Sequence, residues 1–190
     1  MRRATPTRTK PEPARRDERK GVYRAVSSRS AMTRQGDDRR YLEDLVVGET
    51  ATYGDYTVTA DEIVAFARQF DPQPMHTDPE AAAASPFGGL IASGWHTTCL
   101  AMRLAVLEGY LTDLVVVAGV GVEALRWTAP VRPGDTLRVR EEILSTRPSR
   151  DDPTTGVLHV GIEVLNGDDV SVMSMEWIDV VARRPAADAA

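Results

Sequence analysis

Between Thr50 and Val181 the spacing of apolar side chains changes several times, and each change marks an element. Thr50 to Val58 is rich in Thr, Tyr and Val, the composition of a strand. Thr59 opens Thr-Ala-Asp-Glu, a pattern in which Thr59 caps a helix and Glu62 reaches back. Ile63, Phe66, Ala67 and Phe70 follow at helical spacing, which predicts an amphipathic helix over 60–70 that Pro72 and Pro74 bring to an end. Asp78-Pro79 predicts a second, short helix over Glu80 to Ala84, broken by Ser85 to Gly89. From Ser93 to Glu108 the residues Trp95, Cys99, Leu100, Met102, Leu104, Ala105 and Leu107 are apolar nearly all round, with Gly109 as the stop. Such a helix, about 24 Å long at its rise per residue, is expected to be buried, with Cys99 packed inside it.

The remainder reads as four strands, Val115 to Trp127, Asp135 to Thr146, Gly156 to Asn166 and Val170 to Val181. In the third, Leu158, Val160, Ile162 and Val164 alternate with His159, Gly161 and Glu163, the period of a sheet covered on one face. His159, on the polar face, is expected to be solvated. Asn166-Gly167 signals a hairpin turn, and Arg132-Pro133-Gly134-Asp135 places proline and glycine where a type II turn wants them. One strand, two helices, one apolar helix and four antiparallel strands predict an α+β domain with a curved sheet wrapped around a central helix.

Charge divides the chain. Residues 1–40 hold 13 Lys and Arg against 5 Asp and Glu, and the net charge of −5 for all 190 residues therefore leaves 41–190 strongly acidic. The basic stretch has no apolar periodicity, carries Pro6, Pro11 and Pro13, and is expected to form a disordered arm. It lacks both the apolar core of a secretory signal and the aromatic interleaving of a nucleic-acid tether, so a solvated extension is expected and a nucleic-acid partner is not. Met32 stands as an alternative start, the domain proper opens near Tyr41, and 182–190 reads as a tail. The longest apolar run, Leu114 to Val122, is broken by two glycines, so no membrane span is expected. The single cysteine, Cys99, disfavours disulfide scaffolds and zinc ribbons and points to a reducing cytoplasm.

The densest chemistry lies in Phe70-Asp71-Pro72-Gln73-Pro74-Met75-His76. Two prolines fix the backbone between a carboxylate and an imidazole, placing both in a non-helical loop, and a base and an acid at close quarters are what proton transfer to and from water requires. The competing reading makes Asp71 a turn cap and His76 a structural histidine. Downstream, Pro86 to His96 leads into the apolar helix, whose first N–H groups lack intrahelical partners and carry the positive end of the dipole. Gly94 lets a ligand oxygen approach that end, as in an oxyanion hole, unless the segment is an ordinary glycine-rich loop. His96 is expected to pack. His76, His96 and His159 have no metal-ligand spacing, no phosphate-binding or nucleophile-elbow motif is present, and neither metal nor cofactor is expected.

Asp71-Pro72-Gln73-Pro74-Met75-His76, then Phe87 to His96, then Trp127-Thr128-Ala129-Pro130-Val131-Arg132-Pro133-Gly134-Asp135 together resemble the MaoC-like dehydratases, hot-dog-fold relatives of (R)-specific enoyl-CoA hydratases. The resemblance covers about residues 41–181. It implies that Asp71 and His76 hold and activate one water and that the Gly94 N–H polarises a thioester carbonyl. It further implies water addition to a trans-2-enoyl thioester, giving a (3R)-hydroxyacyl thioester on CoA or a carrier, and its reverse. Gln73, Ser93, Trp95 and Met102 fall at substrate-binding positions, Gln73 replacing the usual asparagine and Met102 a serine found near the aspartate in some hydratases. A homodimer or larger homo-oligomer with active-site tunnels across two subunits is implied too. Because hot-dog folds host several chemistries, acyl-CoA thioester hydrolysis and non-catalytic acyl-CoA binding stand as alternatives.

Overall fold

The computed structural model describes residues 39–185. Its strands are β1 (Thr50–Thr57), β2 (Val116–Trp127), β3 (Thr136–Pro148), β4 (Thr155–Leu165) and β5 (Ser171–Ala182), and its helices α1 (Ala60–Phe70), α2 (Pro74–Thr77), α3 (Pro79–Ala83) and α4 (Gly94–Leu107). All five strands form one antiparallel sheet in the order β1-β3-β4-β5-β2, with β1 and β2 at the edges. The expected α+β arrangement is present. The basic arm up to Asp38 and the tail beyond Pro185 lie outside the described residues; Arg40 is paired with Leu114 and donates to Glu49.

The alternation in β3, β4 and β5 turns one set of side chains onto α4. Leu137, Val139, Leu158, Val160 and Met173 are fully buried and share a core with Leu100, Ala101, Leu104 and Ala105 of α4. Each large side chain so buried contributes about 1.5–3 kcal/mol. Gly54 bends β1 over the helix: its φ is +90°, the pairing with β3 shifts there, and a Cβ would stand 3.0 Å from Leu104 Cδ1.

Three expectations are corrected. First, α4 is buried on one face only, and Cys99 is exposed beside Trp95, Met102 and Val106, because the sheet covers one side of the helix and nothing among the described residues covers the other. Second, Asn166 closes a wider loop than an Asn-Gly turn. Its carboxamide accepts from the N–H groups of Asp168 and Val170, and the left-handed residue is Asp169 rather than Gly167. Third, residues 74–77 form a helical turn where a non-helical loop is expected, since Pro74 is well suited to a first helical position. No helix among the described residues is long and apolar enough to cross a membrane.

Candidate active site

The end of α1 places Asp71. Its N–H still bonds to the Ala67 carbonyl at 2.9 Å, while its backbone has left the helical region (φ −151°, ψ 69°), because Pro72 cannot continue the helix. The single turn of α2 then swings His76 inward to 6% exposure. Its anchor is the segment before α4: Ile91 donates its N–H to the Met75 carbonyl at 3.2 Å, and His76 Nδ1 lies 2.9 Å from the Ile91 carbonyl oxygen. A carbonyl only accepts, so Nδ1 must carry a hydrogen, and in the neutral form of the ring the lone pair of Nε2 faces the site.

Asp71 is held by two donors, Ser93 Oγ to Oδ2 at 2.6 Å and Gln73 Nε2 to Oδ1 at 2.8 Å. These hydrogen bonds, that of Ser93 first, keep its carboxyl below the ordinary range, with a smaller contribution from His76 when its ring is charged, so it is ionised at neutral pH. His76 Nε2 and Asp71 Oδ2 stand 3.6 Å apart, too far for a direct bond. Two acceptors facing one another across that gap suit one water donating a hydrogen to each. Ser93, fully buried, also caps α4 by accepting from the Trp95 N–H at 3.2 Å. This leaves the Gly94 N–H, at the first helical position, without a partner among the described residues.

Asp71, Gln73, His76, Ser93, Gly94 and Trp95 therefore converge, lining with Phe70 and Trp127 a cavity of about 350 Å³. A second cavity, of about 290 Å³, shares His76, Gly94 and Trp127 with the first and is walled by residues such as Phe87, Ile91 and Val131. Met102 does not join them. It lies about 12 Å along α4 from Gly94 and 43% exposed, on the face turned away from the core. Phe70 and Trp127 are the residues missed in the sequence. The signal for Trp127 is a large aromatic at the end of a strand immediately before Thr128-Ala129-Pro130, whereas Phe70 reads in the sequence as part of the apolar face of α1 and only the structure leaves it 64% exposed at the helix end.

The other histidines lie elsewhere. His96 packs as expected, stacked on Phe66 at 4.7 Å with its Nε2 3.9 Å from Glu62 Oε1, and burial pushes its pKa down. His159 is not free in solvent: half-buried on the outer sheet face, its Nδ1 pairs with Glu176 Oε1 at 2.5 Å.

Residues 45–164 match the MaoC like domain family. Over 142 residues the chain is 33% identical to the uncharacterized protein YdeM of Bacillus subtilis, spanning 75% of this chain and 99% of that one. It is 34% identical to 3-hydroxyacyl-thioester dehydratase Z of Mycobacterium tuberculosis over 51% of this chain and 66% of that protein. Among solved structures, the MaoC-like dehydratase of Rhodospirillum rubrum superposes with a TM-score of 0.71 at 42% identity, covering 77% of this chain and 99% of that one. The five-stranded sheet with α4 across its face is thus the hot-dog fold.

Proposed function

Because this chain belongs to the MaoC-like dehydratase family, we propose that it interconverts a trans-2-enoyl thioester and a (3R)-hydroxyacyl thioester by adding or removing water. The observation that carries this reading is the pair of acceptors, Asp71 Oδ2 and His76 Nε2, facing each other at 3.6 Å beside the open Gly94 N–H. In the hydration direction the water oxygen bonds to C3 and the C2=C3 electron pair moves toward the thioester carbonyl. The Gly94 N–H, reinforced by the α4 dipole, stabilises the enolate oxygen that develops. One water proton passes to the Asp71/His76 pair and one proton returns from the pair to C2, so the pair ends as it began. Dehydration runs the same steps backward. The thioester stays whole throughout, the chemistry expected in a cytoplasm supplied with acyl-CoA or carrier-bound acyl groups.

The test is a panel of trans-2-enoyl-CoAs followed by loss of the conjugated-thioester absorbance. Asp71→Asn and His76→Ala are each expected to lose on the order of 10² to 10⁴ in rate with the fold retained. Near wild-type turnover by either variant overturns the roles, and release of free CoA from a saturated acyl-CoA identifies a thioesterase instead.

The same reading includes a homodimer. β2, an edge strand of the described sheet, exposes Val117 and Val122, while α4 exposes Cys99, Met102 and Val106. These exposed apolar side chains suit the surface of a second copy of this chain. Sedimentation equilibrium is expected to give twice the chain mass, and a monomer contradicts it.

A further inference from the structure

The two cavities meet at one point, and that point is built by a side chain with no part in the water chemistry. The larger carries the polar groups of Asp71, Gln73 and Ser93; the smaller is walled by Phe87, Ile91, Ala92, Pro130 and Val131; both touch His76, Gly94 and Trp127. The indole lies so close to Gly94 that a Cβ there would stand 2.4 Å from its Cδ2 and Cε2. It is held in place on two sides. Nε1–H donates to Thr98 Oγ1 at 3.3 Å, and Thr98 in turn donates to the Gly94 carbonyl at 2.9 Å. Trp95 meets the indole edge-on at 5.3 Å. Glycine at 94 thus admits the indole as well as exposing an N–H, and Thr98, one turn along, ties the ring to the same helix.

We propose that Trp127 determines acyl-chain length, its indole partitioning an apolar cavity that takes the acyl arm from a polar cavity that takes the pantetheine arm. The inference rests on the enoyl-thioester reading of the site. With the carbonyl on Gly94 and C3 between Asp71 and His76, the reacting centre is pinned where the cavities join, and the two arms of a linear thioester leave in opposite directions. Methylenes go to the cavity lined by Ile91, Pro130 and Val131, and the amide-bearing arm goes to the one lined by Gln73 and Ser93. At about 290 Å³ the apolar cavity is at the small end for a ligand site and suits a short acyl chain. Removing the indole merges the two spaces.

The experiment compares kcat/KM for trans-2-enoyl-CoAs of four, eight and twelve carbons in the wild type, Trp127→Phe and Trp127→Ala. In parallel, Kd is measured for the corresponding saturated acyl-CoAs, with all three proteins matched in oligomeric state. Trp127→Ala is expected to raise the twelve-to-four-carbon ratio at least about tenfold, with Trp127→Phe moving it less in the same direction. If the wild type hydrates the panel and neither variant changes the ratio, the partition is wrong and the hydratase reading survives. If the wild type hydrates nothing but the Kd optimum still moves to longer chains in Trp127→Ala, the partition stands and the hydratase reading falls. An unmoved Kd optimum, or no acyl-CoA binding at all, overturns the partition.

Discussion

The two ends of α4 each gather carboxylates, and they treat them in opposite ways. At the N-terminal end Asp71 accepts hydrogen bonds from Ser93 and Gln73, borders a cavity, and has its pKa lowered. Beyond the C-terminal end Asp179 and Glu141, each 7% exposed, lie in the core beside Tyr110. Tyr110 donates its hydroxyl to Asp179 at 2.6 Å and its N–H to Glu141 at 3.4 Å, yet burial outweighs these bonds and pushes both carboxyls up. The same side-chain type is thus kept ionised beside a cavity at one end and held as internal structure at the other. Net hydrogen bonding against desolvation decides which. A carboxylate near a histidine is therefore informative only together with its donors and its access to water.

The contrast is sharpest under substitution. The largest effect among these variants is expected at Gly94→Ala, whose Cβ must displace the Trp127 indole from the junction of the cavities. Hydration is expected to fall about ten- to a hundredfold, and a rate within twofold of wild type breaks the link between Gly94 and the site. Next, Tyr110→Phe leaves the buried Asp179 without its donor and is expected to cost about 1–3 kcal/mol in denaturant unfolding, with kcat unchanged in the folded protein. A change in kcat would mean that the two ends are coupled.

The smallest effect is the most specific to the N-terminal end. Ser93→Ala removes the larger of the two hydrogen bonds that lower the Asp71 pKa. In the proposed mechanism the working form of Asp71 is ionised, so activity is expected to be lost as pH falls through its pKa. With that pKa raised, the acidic limb of the pH–rate profile is expected to move upward. Loss of the α4 cap should also lower stability by about 1 kcal/mol. An unmoved acidic limb would show that Ser93 acts only as a cap.

What was legible in the sequence was local. Strand composition, the Thr59 cap and the nearby prolines and glycines place α1, α3 and every strand to within one or two residues, because these signals are local. Asp71, His76 and Gly94 were legible for the same reason, each sitting next to a helix end that Pro72, Pro74 or Ser93 announces. What lay hidden depends on side chains from distant elements. The contact of Trp127 with Gly94 joins residues 33 positions apart, and Asp179 meets Tyr110 across 69. The exposed face of α4 is not legible, because apolar residues all round a helix signal burial without saying what supplies the cover. Met102 falls on that face for the same reason.

The central claim is that Asp71, not merely a carboxylate near α4, carries water addition. It is tested most directly by the hydration rate of a short trans-2-enoyl-CoA with Asp71→Asn beside Asp179→Asn, followed as loss of the conjugated-thioester absorbance. Asp71→Asn is expected to fall by at least about a hundredfold while Asp179→Asn, which replaces a buried carboxyl with a neutral amide of similar shape, stays within a few-fold of wild type. Comparable rates in the two variants, or a wild-type rate in Asp71→Asn, would contradict the account.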